Sequence, residues 1–240
     1  MTLQKMINDS SRIVFFGGAG VSTESGIPDF RSADGLYNQR YRYPPETIVS
    51  HSFYMRHAEE FYRFYRDRMI FPEAKPNAAH LKLAELEKAG KLSYVITQNI
   101  DGLHQAAGSR NVVELHGSVH RNYCEKCGSF YPLSAVTECE SIPQCTCGGR
   151  IKPDVVLYEE QLKDDDITRA VNEISSADML IIGGTSLAVY PAAGLITYFG
   201  GRYLVVINKT PTSADENADL VIADSIGKVL ENIEIVNSGL

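Results

Sequence analysis

A series of short apolar runs, rich in β-branched residues, constrains the fold of this chain more than any other feature. Most runs are followed by a small or polar residue, and helical or polar segments separate them. Alternating strands and helices predict an α/β fold, with a parallel sheet covered by helices on both faces. The runs span residues 12–16, 94–97, 112–115, 155–157, 178–182, 203–207 and 220–222.

The strongest candidate for a ligand site lies in residues 94–117. An apolar run there ends in the sequence Gln-Asn-Ile-Asp at residues 98–101, and the next run ends at His116. Ligands of α/β proteins bind at the carboxyl ends of the strands. Two strand ends with polar residues, close in sequence, therefore predict a binding or catalytic site.

A glycine-rich turn follows the first run, at residues 17–26. A strand, glycines and a helix start are typical of a phosphate-binding turn, because glycine lets the backbone approach the phosphate. The spacing provides Gly18 and Gly20, but Thr23 stands where the dinucleotide fingerprint has its third glycine. No acidic residue ends a second strand at the expected distance. These residues alone leave a plain glycine-rich turn as an alternative.

The loop after this turn, from residue 27 past residue 45, is long for a compact domain and predicts a lid or a binding loop. Phe30 and Arg31 within it suit a ring and a phosphate. Residues 51–70 predict a helix rich in aromatic residues, most of which belong to the core. Asn77 predicts the start of another helix over residues 78–89. His80 and His104 are expected to pack or to cap helices.

Size and charge limit the function classes. The chain has 240 residues, which fits one large domain or one domain with a small insert. The net charge of −7 argues against general nucleic-acid binding. Residues 179–201 carry no charge, but their glycines and Pro191 predict a strand, a loop and a short helix rather than a membrane span. The N-terminus lacks a secretory pattern, so we expect a cytoplasmic protein, without membrane contact.

All five cysteines lie between residues 124 and 147, which favours a metal site over disulfides. Cys124 and Cys127 form one pair, and Cys145 and Cys147 form another. Two chelating pairs predict a closed tetrahedral zinc site, which is structural because catalytic zinc needs an open position. The second pair departs from the usual two-residue spacing, so Cys139 stays an alternative to Cys145. Acidic and basic residues are balanced over 120–152, which argues against a nucleic-acid zinc ribbon.

Several motifs, in their order along the chain, resemble those of the sirtuins, which are NAD-dependent protein lysine deacylases. The resemblance runs from about residue 12 to about residue 226 and is strongest to the compact bacterial members. The motifs are Gly-Ala-Gly-Val-Ser at 18–22, Gly-Ile-Pro-Asp-Phe-Arg at 26–31, Thr-Gln-Asn-Ile-Asp at 97–101, His-Gly at 116–117, the paired cysteines, Gly-Thr-Ser at 184–186, and Asn208.

The resemblance implies a Rossmann-like doubly wound parallel sheet with a small inserted zinc-binding module, and a cleft between them. It implies a Rossmann-like part made of residues 1–119 and 153–240, and a zinc-binding insert at 120–152 with part of 30–75 beside it. It also implies NAD as co-substrate and one structural zinc. The implied NAD contacts are Gly18, Ala19, Gly20, Thr23, Phe30, Arg31, Gln98, Ile100, Asp101, Gly184, Thr185, Ser186, Asn208 and Ile226.

The resemblance further implies acetyl-lysine proteins or peptides as substrates. The peptide would add a strand between residues 155–159 and 189–191, with Val155, Leu157, Tyr158 and Val189 as contacts. Asn99 would hold the reacting centre, and His116 would take a proton from a ribose hydroxyl, which suits a group that titrates near neutral pH. The implied products are nicotinamide, O-acetyl-ADP-ribose and free lysine.

Two departures affect the substrate. Many relatives carry Phe-Gly-Glu in the peptide loop, whereas this chain has Tyr-Glu-Glu at 158–160, which would add negative charge beside a basic peptide. The branch that prefers acidic acyl groups carries a tyrosine with an arginine three residues on. Here Tyr62 is followed at that spacing by Tyr65, so acetyl or similar uncharged acyl groups are expected.

Two alternatives to a deacetylase stay open at this point. One is a mono-ADP-ribosyltransferase that uses the same NAD cleft. The other is a non-catalytic module for NAD sensing or zinc-mediated interaction, which the presence of Asn99, Asp101 and His116 disfavours. We also expect a monomer with no direct nucleic-acid partner.

Overall fold

The apolar runs form a parallel sheet of six strands within the residues that the computed structural model describes, which are 1–30, 35 and 41–235. Every expected strand except the one at 155–157 belongs to this sheet. Its strands are β1 (Ile13–Gly17), β2 (Leu92–Thr97), β3 (Val112–Glu114), β7 (Met179–Gly183), β8 (Tyr203–Ile207) and β9 (Leu220–Ile222).

The strand order is β3-β2-β1-β7-β8-β9. Gly17 at the end of β1 pairs with Thr97 on one side and with Gly183 on the other. From β1 the chain adds β2 and β3 on one side, and from β7 it adds β8 and β9 on the other side. The strand order therefore reverses between β1 and β7. This arrangement is the doubly wound Rossmann order, and ligands bind at such a reversal. The predicted fold class is confirmed.

Helices cover both faces of this sheet. Phe15 of β1 packs in one apolar cluster with residues of α1, α5 and α9, whereas Phe16 packs in another with residues of α8. Both side chains are fully buried, because adjacent residues of a strand point to opposite faces. The helices among the described residues are α1 (Leu3–Asp9), α2 (Pro45–Ile48), α3 (His51–Arg56), α4 (Ala58–Arg68), α5 (Ala78–Lys88), α6 (Leu103–Ala106), α7 (Ser134–Thr137), α8 (Asp164–Ser176) and α9 (Ile226–Leu230).

The uncharged segment at 179–201 forms β7, a turn and the 3₁₀ segment Ala192–Tyr198. Pro191, which precedes that segment, follows a cis peptide bond. Across residues 1–30, 35 and 41–235, no helix has both the length and the apolar character that crossing a membrane requires.

A second, antiparallel sheet has the strand order β5-β4-β6. Its strands are β4 (Gly117–Cys124), β5 (Phe130–Tyr131) and β6 (Ile151–Val155). The prediction that a strand at 155–157 continues the parallel pattern is wrong, since β6 ends at Val155, which pairs with Gly117. The cause is a sharp turn after β3. Gly117 has a φ of +78°, and a Cβ atom there would lie 1.8 Å from the Asp154 carbonyl oxygen.

The aromatic segment forms two helices rather than one, because the backbone breaks at His57, where φ is −132° and ψ is 48°. The break turns α4 back on α3, and the rings of Tyr54 and Phe61 meet edge to face at 5.0 Å. The resulting cluster is a third apolar core, which also contains Val119 and Val155 of the second sheet.

Two buried histidines lie beneath the end of β2. His80 completes a capping box with Asn77 at the start of α5, as expected, and its ring centroid lies 4.7 Å from that of His104. Burial lowers the pKa of His80 to about 4 and that of His104 to about 3. Nearby Asp101 and Glu24 partly oppose the shift at His80.

We expect stability to fall as the pH drops below about 6.5, the pKa of histidine in the unfolded chain. The unfolded chain binds protons there that the folded protein does not, so the loss grows until the folded-state pKa values are reached. At pH 5 the two histidines together lower the free energy of unfolding by roughly 4 kcal/mol. Urea denaturation between pH 7.5 and pH 5 measures this effect. His104→Leu should remove about half of the pH dependence, and an unchanged slope would contradict the assignment.

Candidate active site

The glycine-rich turn after β1 lies against the end of β7, where the strand order reverses. Gly20 donates a backbone hydrogen bond to the Gly184 carbonyl oxygen at 2.8 Å, and a Cβ atom on Gly20 would lie 2.8 Å from the Gly184 Cα. The expected helix start is wrong. Two short 3₁₀ turns, Ala19–Val21 and Thr23–Ser25, follow β1, and Gly26 ends the second turn in the left-handed conformation, which stops a helix.

A cavity of about 800 Å³ opens at this point. Every described residue that the resemblance assigns to NAD, to the reaction or to the peptide lines it. Arg31 lies outside the described residues. The lining includes Gly18, Ala19, Gly20, Thr23, Phe30, Gln98, Asn99, Ile100, Asp101, His116, Val155, Leu157, Tyr158, Gly184, Thr185, Ser186, Val189, Asn208 and Ile226.

His116 follows β3 and faces the cavity from the turn into the second sheet. Its Nδ1 lies 2.9 Å from the Gln98 carbonyl oxygen. A carbonyl only accepts, so Nδ1 carries the proton and Nε2 is the ring nitrogen left to accept another one. Burial lowers the pKa of His116, and the hydrogen bond to Gln98 opposes this shift. The imidazole is therefore neutral at neutral pH and can act as a base.

A chain of hydrogen bonds orients the polar residues after β2. Asn99 Nδ2 donates to Ser22 Oγ at 3.0 Å, and Ser22 Oγ donates to Asp101 Oδ2 at 2.6 Å. The other Asp101 oxygen accepts from the Leu103 N–H, at the start of α6. These contacts hold the amide of Asn99 in one orientation. Sequence reasoning assigned no role to Ser22, although it stands at the end of the Gly-Ala-Gly-Val-Ser motif.

Gln98 connects the two halves of the parallel sheet across the cavity. Its Nε2 donates to Thr185 Oγ1 at 3.1 Å, and Thr185 Oγ1 also accepts from the Leu187 N–H. Thr185 follows β7 and Gln98 follows β2. The resemblance implied that both residues contact NAD, and the structure places them in direct contact with each other.

The far end of the cavity lies beyond β8 and β9. Asn208 Nδ2 donates to the Thr210 carbonyl oxygen at 2.7 Å, and Ile226 is buried at the start of α9. Lys209 and Asp224 also line this end, and sequence reasoning missed both. Their positions just after β8 and β9 could have identified them, by the same rule that identified Asn208.

The loop after β6 is bound to helix α3. The His51 N–H donates to the Tyr158 carbonyl oxygen at 2.9 Å, and the Tyr158 N–H donates to the Val49 carbonyl oxygen. Glu159 accepts from the N–H and the hydroxyl of Ser52. Glu160 accepts from Lys152 Nζ and from the Leu157 N–H. Both carboxylates thus serve to fix this loop. Lys152 compensates the charge of Glu160, whereas the partners of Glu159 among the described residues are neutral groups of Ser52, so its expected negative charge beside the peptide remains.

An ion-pair network joins the strands that lead to His116 and Val155. Arg121 Nη1 lies 2.6 Å from Glu114 Oε2 on β3, and its Nε lies 2.9 Å from Asp154 Oδ2 on β6. Lys163 pairs with the other oxygen of Asp154 at 2.7 Å. Because the Glu114 side chain is only 8% exposed, loss of Arg121 would leave a buried carboxylate without its cation.

The tyrosine of α4 that lines the cavity is Tyr65, not Tyr62. The Tyr62 hydroxyl donates to the Ile151 carbonyl oxygen, away from the cavity lining. An arginine does follow the lining tyrosine at three residues, since Arg68 also lines the cavity. The spacing argument for uncharged acyl groups was made from Tyr62, and it does not extend to Tyr65.

The four cysteine sulfurs of the two pairs lie within 4.8 Å of one another. Cys124 Sγ is 3.5 Å from Cys147 Sγ, and Cys127 Sγ is 3.6 Å from Cys145 Sγ. Four sulfurs at about 2.3 Å from a tetrahedral zinc lie about 3.8 Å apart, so these residues fit the ion. Cys139 is not part of this cluster and lies near Ser141 instead.

Comparisons with known proteins agree with this geometry. A model described as "Sir2 family" matches residues 18–191. The NAD-dependent protein deacetylase of Clostridium acetobutylicum is 61% identical over 235 residues, with 96% of each chain covered. The NAD-dependent protein deacetylase of Cutibacterium acnes is 55% identical over 234 residues, which cover 97% of this chain and 96% of the relative.

Solved structures show the same fold. A Sir2 protein with deacetylated p53 peptide and 3′-O-acetyl ADP-ribose has a TM-score of 0.88 at 40% identity, covering 95% of this chain and 94% of the other. A complex of a Sir2 homolog with NAD has a TM-score of 0.86 at 40% identity, covering 95% of this chain and 90% of the other. The family model matches residues 18–191, and relatives that are 55% and 61% identical cover nearly the whole chain. The chain therefore belongs to the Sir2 family.

Proposed function

We propose that this protein is an NAD-dependent protein lysine deacetylase, which transfers the acetyl group of a modified lysine to ADP-ribose and releases nicotinamide. The observation that carries the proposal is the shared cavity. It brings the glycine turn, the polar residues after β2, His116 and the loop after β6 into one site. Relatives that align along almost the whole chain are NAD-dependent protein deacetylases.

The end of the cavity beside β1 and β7, where the strand order reverses, fits NAD. Gly18, Gly20 and Gly184 let the turn pack directly against the end of β7, since a Cβ atom on Gly18 would lie 2.9 Å from the Thr185 Cβ. The same glycines present backbone amides without side chains at the cavity, which suits a pyrophosphate. NAD supplies the ribose carbon that takes up the acyl oxygen when nicotinamide leaves. We assign the adenosine half to Ser186, Asn208 and Ile226, and we keep Arg31 as a proposed contact on the resemblance alone.

His116 acts as the base in this proposal. Its Nδ1–H is held by the Gln98 carbonyl oxygen, so Nε2 accepts the proton from the ribose hydroxyl that receives the acyl group. The lowered pKa keeps Nε2 free of a proton at neutral pH. Asn99 binds the reacting centre through its amide, which Ser22 and Asp101 orient.

The acetyl-lysine enters along the loop after β6. Val155 and Leu157 are buried side chains that line the cavity, which suits the methylene chain of lysine. Tyr158 and Val189 line the same cavity from two different loops, and a peptide placed between these loops could add a strand. The contacts to α3 hold the loop in place for this purpose.

We further propose that the four cysteines hold one structural zinc and that the second sheet is its module. Residues 1–119 and 153–240 would then form the Rossmann-like part and 120–152 the insert, with part of 30–75 packed beside it. None of the five cysteines forms a disulfide, and cysteines without disulfides are typical of reducing compartments, which supports a cytoplasmic location.

The test is an incubation of the full chain with an acetyl-lysine peptide and NAD, followed by mass spectrometry. We expect free lysine peptide, nicotinamide and O-acetyl-ADP-ribose in equal amounts, and no reaction when NAD is left out. Deacetylation without NAD would refute the proposal. Transfer of label from NAD to protein, without any need for acyl-lysine, would instead favour a mono-ADP-ribosyltransferase.

A further inference from the structure

The loop after β6 carries one carboxylate whose charge no cation balances. Glu159 is exposed and lines the catalytic cavity beside the proposed contacts of the acetyl-lysine. Ser52 holds both of its oxygens, one through its backbone N–H at 2.8 Å and the other through its hydroxyl at 3.0 Å. These donors are neutral, and Glu159 forms no ion pair among the described residues. The adjacent Glu160, by contrast, pairs with Lys152 at 3.1 Å.

The backbone at Glu159 is unusual for a residue with a long side chain. Its φ is +75°, which lies in the left-handed region that favours glycine, and relatives that carry Phe-Gly-Glu in this loop have glycine here. The two hydrogen bonds to Ser52 therefore fix the carboxylate in one position despite a backbone that disfavours it. An ionised carboxylate has about four acceptor sites, so the oxygens can still accept hydrogen bonds from a ligand.

The backbone of Glu159 is also placed to meet a bound peptide. Neither its N–H nor its carbonyl oxygen has a hydrogen-bond partner within the part of the chain that the structure describes. Both groups are available to the strand that the peptide is proposed to add. Leu157 lines the acyl-lysine end of the cavity, and neighbours across a strand pair reach about two positions to either side. The peptide side chains next to acetyl-lysine therefore come within reach of Glu159.

The opposite wall of the peptide site brings no competing charge. Residues 179–201 are uncharged. Tyr190 within them is 74% exposed and lines the cavity, and an exposed aromatic face attracts a cation. The described cations that line the cavity are Arg68 on α4 and Lys209 after β8, which lie outside both peptide-binding loops. A peptide therefore meets a rim with a fixed negative charge and an aromatic ring.

We propose that Glu159 selects the peptide, so that the enzyme prefers acetyl-lysine sites with a lysine or arginine within about two residues of the acetylated one. This inference rests on the proposed deacetylase function. An exposed salt bridge usually contributes little, because both side chains must be ordered. Ser52 has already ordered the carboxylate, which lowers the entropy cost of pairing with a cation of the peptide. Glu159 touches no reacting group and acts as a specificity-determining residue.

The experiment uses the full, zinc-loaded chain, saturating NAD and acetyl-lysine peptides of one sequence. The two positions on either side of acetyl-lysine carry lysine, glutamine or glutamate, one position at a time. At one or more of them, KM for the lysine peptide should be about 3- to 5-fold lower than KM for the glutamine peptide, with little change in kcat. This ratio should approach 1 as NaCl rises from about 0.05 M to about 0.5 M, because salt screens an exposed pair.

Three variants assign the preference to one charge. Glu159→Gln keeps an oxygen for Ser52 but removes the charge, so the KM values of the lysine and glutamine peptides should become equal. Glu159→Lys should reverse the preference and make the glutamate peptide the better substrate. Glu59→Gln is the matched control, because Glu59 is exposed on α4 outside the cavity lining. It changes the net charge by the same amount and should keep the wild-type ratio.

The possible failures are distinct. Equal KM values for lysine and glutamine peptides at every position in the wild type would overturn this inference and leave the deacetylase in place. Glu159→Gln might instead weaken all peptides by the same factor, and Glu159 would then only fix the loop, which also overturns it. Loss of the preference in Glu59→Gln would attribute it to the net charge of the chain and overturn the inference too. Absence of NAD-dependent turnover with every peptide would overturn the proposed function and this inference with it.

Discussion

His116→Ala is expected to reduce kcat/KM for deacetylation by roughly 10²- to 10⁴-fold, the usual contribution of a positioned general base. The reason is the tautomer that the structure imposes. Nδ1 is committed to the Gln98 carbonyl oxygen, so only Nε2 can take the ribose proton. Alanine removes the acceptor and leaves the cavity wall otherwise intact, because His116 follows β3 without belonging to an apolar cluster. Steady-state kinetics with an acetyl-peptide and NAD measure the loss.

A second measurement separates a lost base from a damaged fold. The base acts after nicotinamide has left, so exchange of labelled nicotinamide into NAD, in the presence of acetyl-peptide, should fall much less than product formation. His57→Ala is the control, because this exposed histidine at the break between α3 and α4 packs on Tyr43 and Phe53, away from the cavity lining. Equal loss of exchange and product formation in His116→Ala would argue against a base that acts in the second stage.

Strand positions and the site at their ends could be predicted well from the sequence, and the reason is physical. Buried parallel strands need uninterrupted apolar residues, and ligands bind where those strands stop. The runs that end at Gly17, Thr97, Gly183 and Ile207 therefore identify both the sheet and its functional edge. The same rule identifies His116 and Asn99 as site residues. It would also identify Lys209 and Asp224 without any motif, because both lie just after strands.

What the sequence could not predict depends on contacts between distant segments. The break at His57 has no proline or glycine beside it, and it exists because Tyr54 and Phe61 pack edge to face. The sequence at the end of β6 is apolar like that of the parallel strands. It nevertheless pairs with β4, because Gly117 turns the chain beside Asp154. Ser22 gains its role only when Asn99 and Asp101 come within hydrogen-bond distance of it.

The choice between Tyr62 and Tyr65 shows the same limit at the scale of one helical turn. Both tyrosines are fully buried on α4, and three residues separate them, so both lie on the inner face of the helix. Only the folded structure shows that the Tyr62 hydroxyl donates to the Ile151 carbonyl oxygen and that the Tyr65 side chain lines the cavity. Which of the two tyrosines lines the cavity therefore follows from tertiary contacts and not from residue spacing.

Removal of zinc is expected to unfold the second sheet and to abolish activity with it. The only apolar cluster centred on the cysteines among the described residues consists of Cys124, Cys145 and Ile151, with Tyr131 packed against it. Val119, Val136 and Val155 pack in the third apolar core, but the small cluster at the cysteines cannot by itself offset the conformational entropy of the turns that carry them. Structural zinc sites contribute roughly 10–16 kcal/mol of apparent binding free energy, which greatly exceeds what this cluster supplies. The module therefore depends on the ion for its stability.

Cys145→Ser and Cys139→Ser form a matched pair for this prediction. Cys145 belongs to the cluster of four sulfurs, whereas Cys139 lies outside it. Cys145→Ser should lose the zinc, as measured by elemental analysis, and should become sensitive to proteolysis within residues 117–155, while Cys139→Ser should keep one zinc per chain and the wild-type Tm. Loss of zinc in Cys139→Ser, or its retention in Cys145→Ser, would contradict the ligand set. Because β6 leads directly into Val155 and the peptide loop, proteolysis of the module and loss of acetyl-peptide binding should occur together at the same chelator concentration.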